Sequence, residues 1–295
     1  NALGFHDAEI EFIDGERSRI LLLGDSYVHA AAVSVRDIVG QRLEANLGED
    51  WDVVSLGGTG WGQTEELEAL RTYGESLGPD MVLSLFLPLN DVRNNHPDLQ
   101  REATLQMARM QRFRPGWTEL RAEDAPFFWF PESRLNQFLS HQLALRNWVE
   151  QEDEIPLDYE IYSTVTDPLW EDAWTRTEAL ILETRALARR MGANYGIAIA
   201  TTPQTVLNPE AGIEMLVQAY PRMAGRDWNL EGPAERLVVF CEAEGIPVVN
   251  LEGPLRERTA FGEMLHFPYD GHWNAVGHQA AADRMAEFVR MNFVP

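Results

Sequence analysis

Two short strings, far apart in the chain, hold residue types that together can cleave an ester: Gly24-Asp25-Ser26 near the start and Asp270-Gly271-His272 near the end. A serine hydroxyl is a weak nucleophile at neutral pH. It needs an imidazole within hydrogen-bond reach to take its proton, and a further group to steady the imidazolium. Ser26, His272 and Asp270 supply one of each. Ser26 follows the apolar run Arg19 to Leu23 (RILLL), which places it in a strand-to-helix turn. Asp270 and His272 immediately precede a helical stretch that starts at Ala275.

Such groups work only if a frame brings them together. Apolar runs at 19–23, 51–56, 81–87, 195–200 and 247–251 predict buried strands. Stretches at 35–47, 64–77, 171–191, 234–244 and 275–291 predict helices, the first with Ile38, Val39, Leu43 and Leu47 facing inward. Gly48, Gly192 and Gly245 suit helix ends, and Gly78-Pro79-Asp80 a turn. Strands alternating with helices predict an α/β domain whose parallel sheet is covered on both faces.

In open parallel sheets the functional groups stand beyond the carboxyl ends of the strands. Four polar clusters fall there. Ser26 follows the first strand, Gly57 to Gly62 (GGTGWG) the second, Asn90 with Asp91 the third, and Asp270 with His272 come after the fifth. From Asp91 to about Trp170 the alternation lapses for about 80 residues, too long for a simple loop, so an insertion or cap is expected over about 94–170. It contains Phe113, Trp117, Phe127, Phe128, Trp129 and Phe130, suited to a small core or to the wall of a substrate cleft. A helix is expected over 134–149.

Composition removes several alternatives. The 295 residues are 45% apolar, enough for a sizeable core. Net charge is −23, from 47 acidic and 24 basic residues, and it repels nucleic-acid phosphates and anionic lipid. Every basic residue is Arg, so Schiff-base lysines, Ser-Lys dyads and a P-loop lysine are excluded. Cys241 is the single cysteine, which rules out an internal disulfide and a multi-Cys zinc site; it reads as a buried, inert thiol. His266, Asp270, His272 and His278 fit no zinc spacing, so no metal is expected. GGTGWG lacks the G-x-G-x-x-G register and follows the second strand, so no dinucleotide or other cofactor is expected. No run of 18 apolar residues is present to span a membrane.

The strings GDSYVHA, LGGTGWGQT, LPLNDV and DGHWNAVGH, in that order, resemble the four sequence blocks of the SGNH (GDSL-type) hydrolases. The resemblance implies a three-layer flavodoxin-like fold with a central parallel sheet of about five strands, residues 1–295 forming one domain. It implies a serine esterase without metal or nucleotide, acting on small acyl esters such as acetyl groups on carbohydrate. Carried over block by block, Ser26 is the nucleophile and donates its backbone N–H to the oxyanion. Gly60 presents a second N–H, and Asn90 its side-chain amide. His272 is the base and then the acid, and Asp270 orients it. Trp61 and Arg93 are candidate substrate contacts. Asp25 and Asp91 read as turn or capping residues, and His29 is expected to point away from Ser26.

Three departures stand out. Pro88 occupies a position where the family usually has Gly, next to the segment holding Asn90. The last block is D-x-H rather than D-x-x-H, resembling the branch that includes alginate-acetylation proteins and keeping acyl transfer to a sugar hydroxyl open. Val28 replaces the second Gly of a G-x-S-x-G elbow. A catalytically silent binding module is the other alternative, against which the intact quartet of Ser26, Gly60, Asn90 and His272 speaks. The resemblance, with a start that lacks Met, favours an extracytoplasmic compartment.

Overall fold

The computed structural model describes residues 1–10, 17–112, 155–268 and 270–293. Strands β1 (Ser18–Gly24), β2 (Trp51–Gly57), β3 (Met81–Phe86), β4 (Asn194–Ile199) and β5 (Val248–Asn250) form one parallel sheet in the order β2-β1-β3-β4-β5. The described helices are α1 (Ser26–His29), α2 (Val39–Leu47), α3 (Gln63–Leu77), α4 (Pro88–Asn94), α5 (Pro97–Arg112), α6 (Pro168–Arg190), α7 (Pro209–Ala219), α8 (Gly232–Glu244), α9 (Glu252–Ala260) and α10 (Ala275–Phe293).

Successive strand side chains point to opposite faces, and here both faces are buried. Leu21, Leu23, Val54, Leu56, Val82 and Phe86 pack against Leu70 of α3, Trp174 and Ile181 of α6, and Leu237 of α8. Ile20, Leu22, Val53, Leu83 and Leu85 pack against Val39 and Leu43 of α2, Leu255 of α9 and Met285 and Val289 of α10. Each such aliphatic side chain contributes about 1.5–3 kcal/mol on full burial. The fold is therefore a three-layer α/β sandwich, and two-sided burial is why its strands appear as continuous apolar runs.

Sheet order fixes where a site can form. The chain leaves β1 for β2 on one side, then crosses back to β3 on the other. The connections diverge between β1 and β3, which opens a crevice at the carboxyl ends of those two strands. Ser26 follows β1 and Asn90 follows β3.

The structure departs from the sequence expectation in several places. The helix expected over 35–47 is split: Val35–Asp37 is a 3₁₀ turn, Ile38 is extended, and α2 begins at Val39. Ile38 still points inward and is fully buried. The region after Asn90 begins helically, as α4 and α5, and a 3₁₀ turn at Leu157–Tyr162 packs on both. Helix α6 ends at Arg190 with Met191 as its C-cap, and Gly192 lies just beyond the cap. Helices α7 and α9 were not expected. In α9 the sequence EGPLRERTA buries only Glu252 and Leu255, so it has no apolar stripe to betray it. The helix expected over 134–149 and the aromatic residues from Phe113 to Phe130 lie outside the described residues.

Helix α10 begins close against the segment that precedes it. A Cβ added to Gly277 would lie 2.1 Å from the carbonyl oxygen of Leu265 and 3.0 Å from Trp273. Gly277→Ala must push this segment away, with an expected cost of about 1–3 kcal/mol. Urea unfolding would show it as a lowered midpoint, and an unchanged midpoint would contradict the packing described.

Candidate active site

The β1–α1 turn places Ser26. Asp25 is the N-cap of α1: its Oδ1 accepts from the Tyr27 N–H at 2.9 Å. Because the cap bond is made by Asp25, the Ser26 hydroxyl is spared for another partner. That partner is His272, whose Nε2 lies 2.8 Å from Ser26 Oγ across 246 residues of sequence. His29, at the other end of α1, places Nδ1 2.9 Å from Thr59 Oγ1.

His272 sits on a loop that is closed by its own backbone. Phe267 N–H donates to the His272 carbonyl at 2.8 Å, and Gly271 N–H to the Phe267 carbonyl at 3.2 Å. The Tyr27 hydroxyl donates to the Gly271 carbonyl at 2.9 Å, tying this loop to α1. The Tyr27 ring lies 5.1 Å from the imidazole and 4.9 Å from Trp273. Trp273 in turn donates its indole N–H to Thr201 Oγ1, at the end of β4, at 2.9 Å. Tyr27 and Trp273 hold this loop in place and were not singled out by the sequence reading; an aromatic residue directly after each of Ser26 and His272 was the available signal.

Asp270 divides its carboxylate. Oδ1 accepts from the His272 backbone N–H at 3.1 Å, an Asx turn that the D-x-H spacing permits. Oδ2 faces His272 Nδ1 at 3.6 Å, longer than a hydrogen bond. The Asp270 side chain is 51% exposed and that of His272 38%.

Gly60 occupies the third position of a turn closed by Trp61 N–H to the Gly58 carbonyl at 3.2 Å. Its φ of +75° is what a type II turn requires there, and Gly meets it without strain. Asn90 lies in the first turn of α4, where Pro88 takes the N1 position. A fixed φ suits that position, so the departure from Gly is absorbed as a helix start. Asn90 Nδ2 donates to Asp25 Oδ2 at 2.9 Å.

The two candidate substrate contacts have protein partners. Trp61 packs over Gly58, and its ring meets Phe5 edge-on at 6.1 Å. Arg93 Nε lies 2.8 Å from Asp158 Oδ1 as an ion pair, so its charge is already matched.

Behind the crevice lies a cluster of buried acids. Asp91 Oδ2 accepts from Leu87 N–H at 2.9 Å and from Gln63 Nε2 at 3.0 Å. Gln63 Nε2 also reaches Glu66 Oε1 at 3.3 Å, and Ser84 Oγ donates to Glu66 Oε2 at 3.1 Å. Burial, reinforced by the charge of Asp25, pushes the Glu66 carboxyl up to about 8. Burial likewise raises Asp25, and it raises Asp91 well above the usual carboxylate range. Gln63 and Glu66 share the inward face of α3 with Leu70, Gly74 and Leu77, a spacing visible in the sequence once polar residues are admitted to the stripe.

This burial has a sign in pH. Between the usual Glu value of 4.5 and about 8, folded Glu66 holds a proton that the unfolded chain has released. Stability is fully present below 4.5 and is lost as pH rises through about 8. The loss is at most about 1.4 kcal/mol per pH unit. Glu66→Gln is expected to flatten this fall when urea unfolding is compared across that window. Parallel curves for the two proteins would refute it.

His266 and His278 are buried, and burial lowers them to about 4 and about 3. His266 Nε2 lies 3.1 Å from the Thr201 carbonyl, and the His278 ring packs edge-on against Trp273 at 5.6 Å. Among the described residues no group of three His, Cys, Asp or Glu side chains could hold a metal ion. Burial pushes the Cys241 thiol up to about 12, so it stays protonated and unreactive. No described helix is long and apolar enough to cross a membrane.

No protein-family model matches the chain, and no curated protein matches it by sequence. Several solved structures are similar in shape. LAE5, an alpha/beta hydrolase enzyme from the metagenome of Lake Arreo, Spain, is 14% identical, with 96% of this chain and 98% of that one covered and a TM-score of 0.47. Est24, a carbohydrate acetylesterase from Sinorhizobium meliloti, is 11% identical, with 94% and 100% covered and a TM-score of 0.43. An inhibitor-bound aryl esterase of M. smegmatis is 12% identical, with 93% and 99% covered and a TM-score of 0.44. At such identities and scores the chemistry of those proteins does not transfer; what this chain can do rests on its own residues.

Proposed function

We propose that this chain is an ester hydrolase of the SGNH type, with Ser26 as nucleophile. One observation carries the reading: Ser26 Oγ and His272 Nε2 lie 2.8 Å apart, brought together from opposite ends of the chain at the crevice of a parallel sheet.

The chemistry follows from that pair. Ser26 Oγ attacks the ester carbonyl carbon while its proton passes to His272 Nε2. The tetrahedral oxyanion is held by the backbone N–H groups of Ser26 and Gly60 and by the side-chain amide of Asn90. Each such donor is worth about 10²–10³ in rate. His272 returns the proton to the leaving alkoxide, and an acyl-enzyme remains. Water then attacks the acyl carbon, giving its proton to Nε2, and the carboxylic acid leaves as Ser26 regains its hydrogen. Asp270, through its Oδ2, steadies the imidazolium in both halves.

Exposure of the imidazole favours water as acceptor over a sugar hydroxyl, since transfer requires water to be kept out. A net charge of −23 favours a neutral ester over a polyanion. Within the reading, the preferred acyl group is small, with acetyl esters of carbohydrate the expected class.

A fluorophosphonate probe with peptide mapping, run beside p-nitrophenyl esters of increasing chain length and acetylated sugars, tests the reading. The expected result is one adduct on the Ser26 peptide and fastest turnover of the acetyl ester. A chain that forms no adduct and releases no product would overturn it. Acetyl transfer to an added sugar in preference to water would replace hydrolase with transferase.

A further inference from the structure

Asp25 does more than its capping role requires. Its carboxylate is fully buried and divides between two tasks. Oδ1 accepts from the Tyr27 N–H, which is the helix cap. Oδ2 faces the other way and accepts from Asn90 Nδ2 at 2.9 Å, with Ser26 Oγ 3.4 Å away. A cap needs one oxygen; the second is committed to the residue that follows β3.

The Asn90 side chain depends on that oxygen. Its Oδ1 is buried and has no hydrogen-bond partner, so among the described residues the bond to Asp25 is the one tether of the amide. An amide held at a single point rotates freely when that point is removed. The remaining N–H of Nδ2 has a fixed direction only while Asp25 Oδ2 holds the first. Asp25 in turn is fixed by the cap and by full burial at the end of β1, a rigid anchor for a side chain on a different helix.

We infer that Asp25 is a positioning residue for the oxyanion donor Asn90: its Oδ2 locks the Asn90 amide across the β1–β3 crevice while its Oδ1 caps the nucleophile's helix. One carboxylate thereby sets the nucleophile and a donor in register. The inference rests on the ester-hydrolase reading and adds a residue to it. Asp25 is fully buried and its Oδ2 also lies 3.4 Å from Ser26 Oγ; the inferred role is the one it exerts through the shorter bond to Asn90.

Two variants separate this role from capping. Asp25→Asn keeps an oxygen for the Tyr27 N–H but turns an amide NH₂ toward the Asn90 amide, where two donors meet. Asp25→Ser is a good N-cap residue whose side chain is too short to reach Asn90. Both are expected to lower kcat for p-nitrophenyl acetate by about 10- to 100-fold with KM nearly unchanged, the mark of an interaction made in the transition state. In an Asn90→Ala background the same substitutions are expected to change kcat by less than about 2-fold, because the group they position is gone. Equal losses in both backgrounds, or no loss in either single variant, would overturn the inference. Fluorophosphonate labelling of the unsubstituted chain keeps the two readings apart. No adduct on Ser26 overturns the hydrolase reading and this inference with it. An adduct together with additive losses overturns the inference alone.

Discussion

Ser26→Ala is expected to lower kcat for p-nitrophenyl acetate by at least about 10³-fold, leaving the unfolding free energy within about 0.5 kcal/mol of the parent. The first half follows from the removal of the one oxygen, among the described residues, that His272 Nε2 faces at hydrogen-bond distance. The second half is what makes the result diagnostic. Serine after a strand is often a helix cap, and loss of a cap costs about 0.5–2 kcal/mol. Here the cap bond belongs to Asp25, and among the described residues the Ser26 hydroxyl bonds to no backbone N–H. A large rate loss with little stability loss therefore assigns the hydroxyl to chemistry. Steady-state kinetics and urea unfolding on the same preparation provide the two numbers. A variant that keeps a tenth or more of the parent rate, or one that loses stability as it loses rate, would turn Ser26 back into a structural residue.

How much of this was legible in the sequence depends on the physics of each part. The five strands were legible because a parallel sheet covered on both faces demands uninterrupted apolar runs, and all five runs became strands within a residue or two. The placement of Ser26, Asn90 and His272 was legible because each stands just beyond such a run or just before a helix. Helices buried along a narrow stripe were not. Helix α9 turns on Leu255 and Glu252 alone, and the break at Ile38 depends on how the 3₁₀ turn Val35–Asp37 meets the start of α2, which no local preference dictates.

The polar contacts were the least legible. Asp25 reads as a turn residue from its neighbours, and it is one; that its second oxygen reaches Asn90, 65 residues away, is a property of β1 lying beside β3. Glu66 lies in an acidic stretch (TEELEAL) that gives no sign of a buried carboxyl, yet it is buried and its Oε2 accepts from Ser84 Oγ of β3. Arg93 reads as a candidate substrate contact or one half of an ion pair, and the partner that makes it the latter, Asp158, comes from a segment 65 residues later. In each case residue type predicted the kind of partner required, and only the topology named it.

His272→Ala is expected to cost about as much as Ser26→Ala, at least about 10³-fold in kcat, whereas Asp270→Asn should cost only about 10- to 100-fold. The asymmetry comes from the loop. In triads whose acid is buried against the imidazole, the corresponding Asp→Asn change costs about 10⁴ because the wrong tautomer is then enforced. Asp270 is half exposed, its Oδ2 stands 3.6 Å from Nδ1, and its Oδ1 is engaged with the His272 backbone. The imidazole is held besides by the Tyr27 ring and by the bond from Tyr27 to the Gly271 carbonyl, neither of which Asp270→Asn removes. Because the His272 side chain is 38% exposed, the space left by His272→Ala opens to solvent, and added imidazole should restore part of the rate. Rescue that saturates with imidazole concentration would identify the missing group as a base at that position. Equal losses for His272→Ala and Asp270→Asn would show instead that the carboxylate closes on Nδ1 during turnover, with the loop tightening around the substrate; failure of His272→Ala to lose rate would remove the base, and with it the hydrolase.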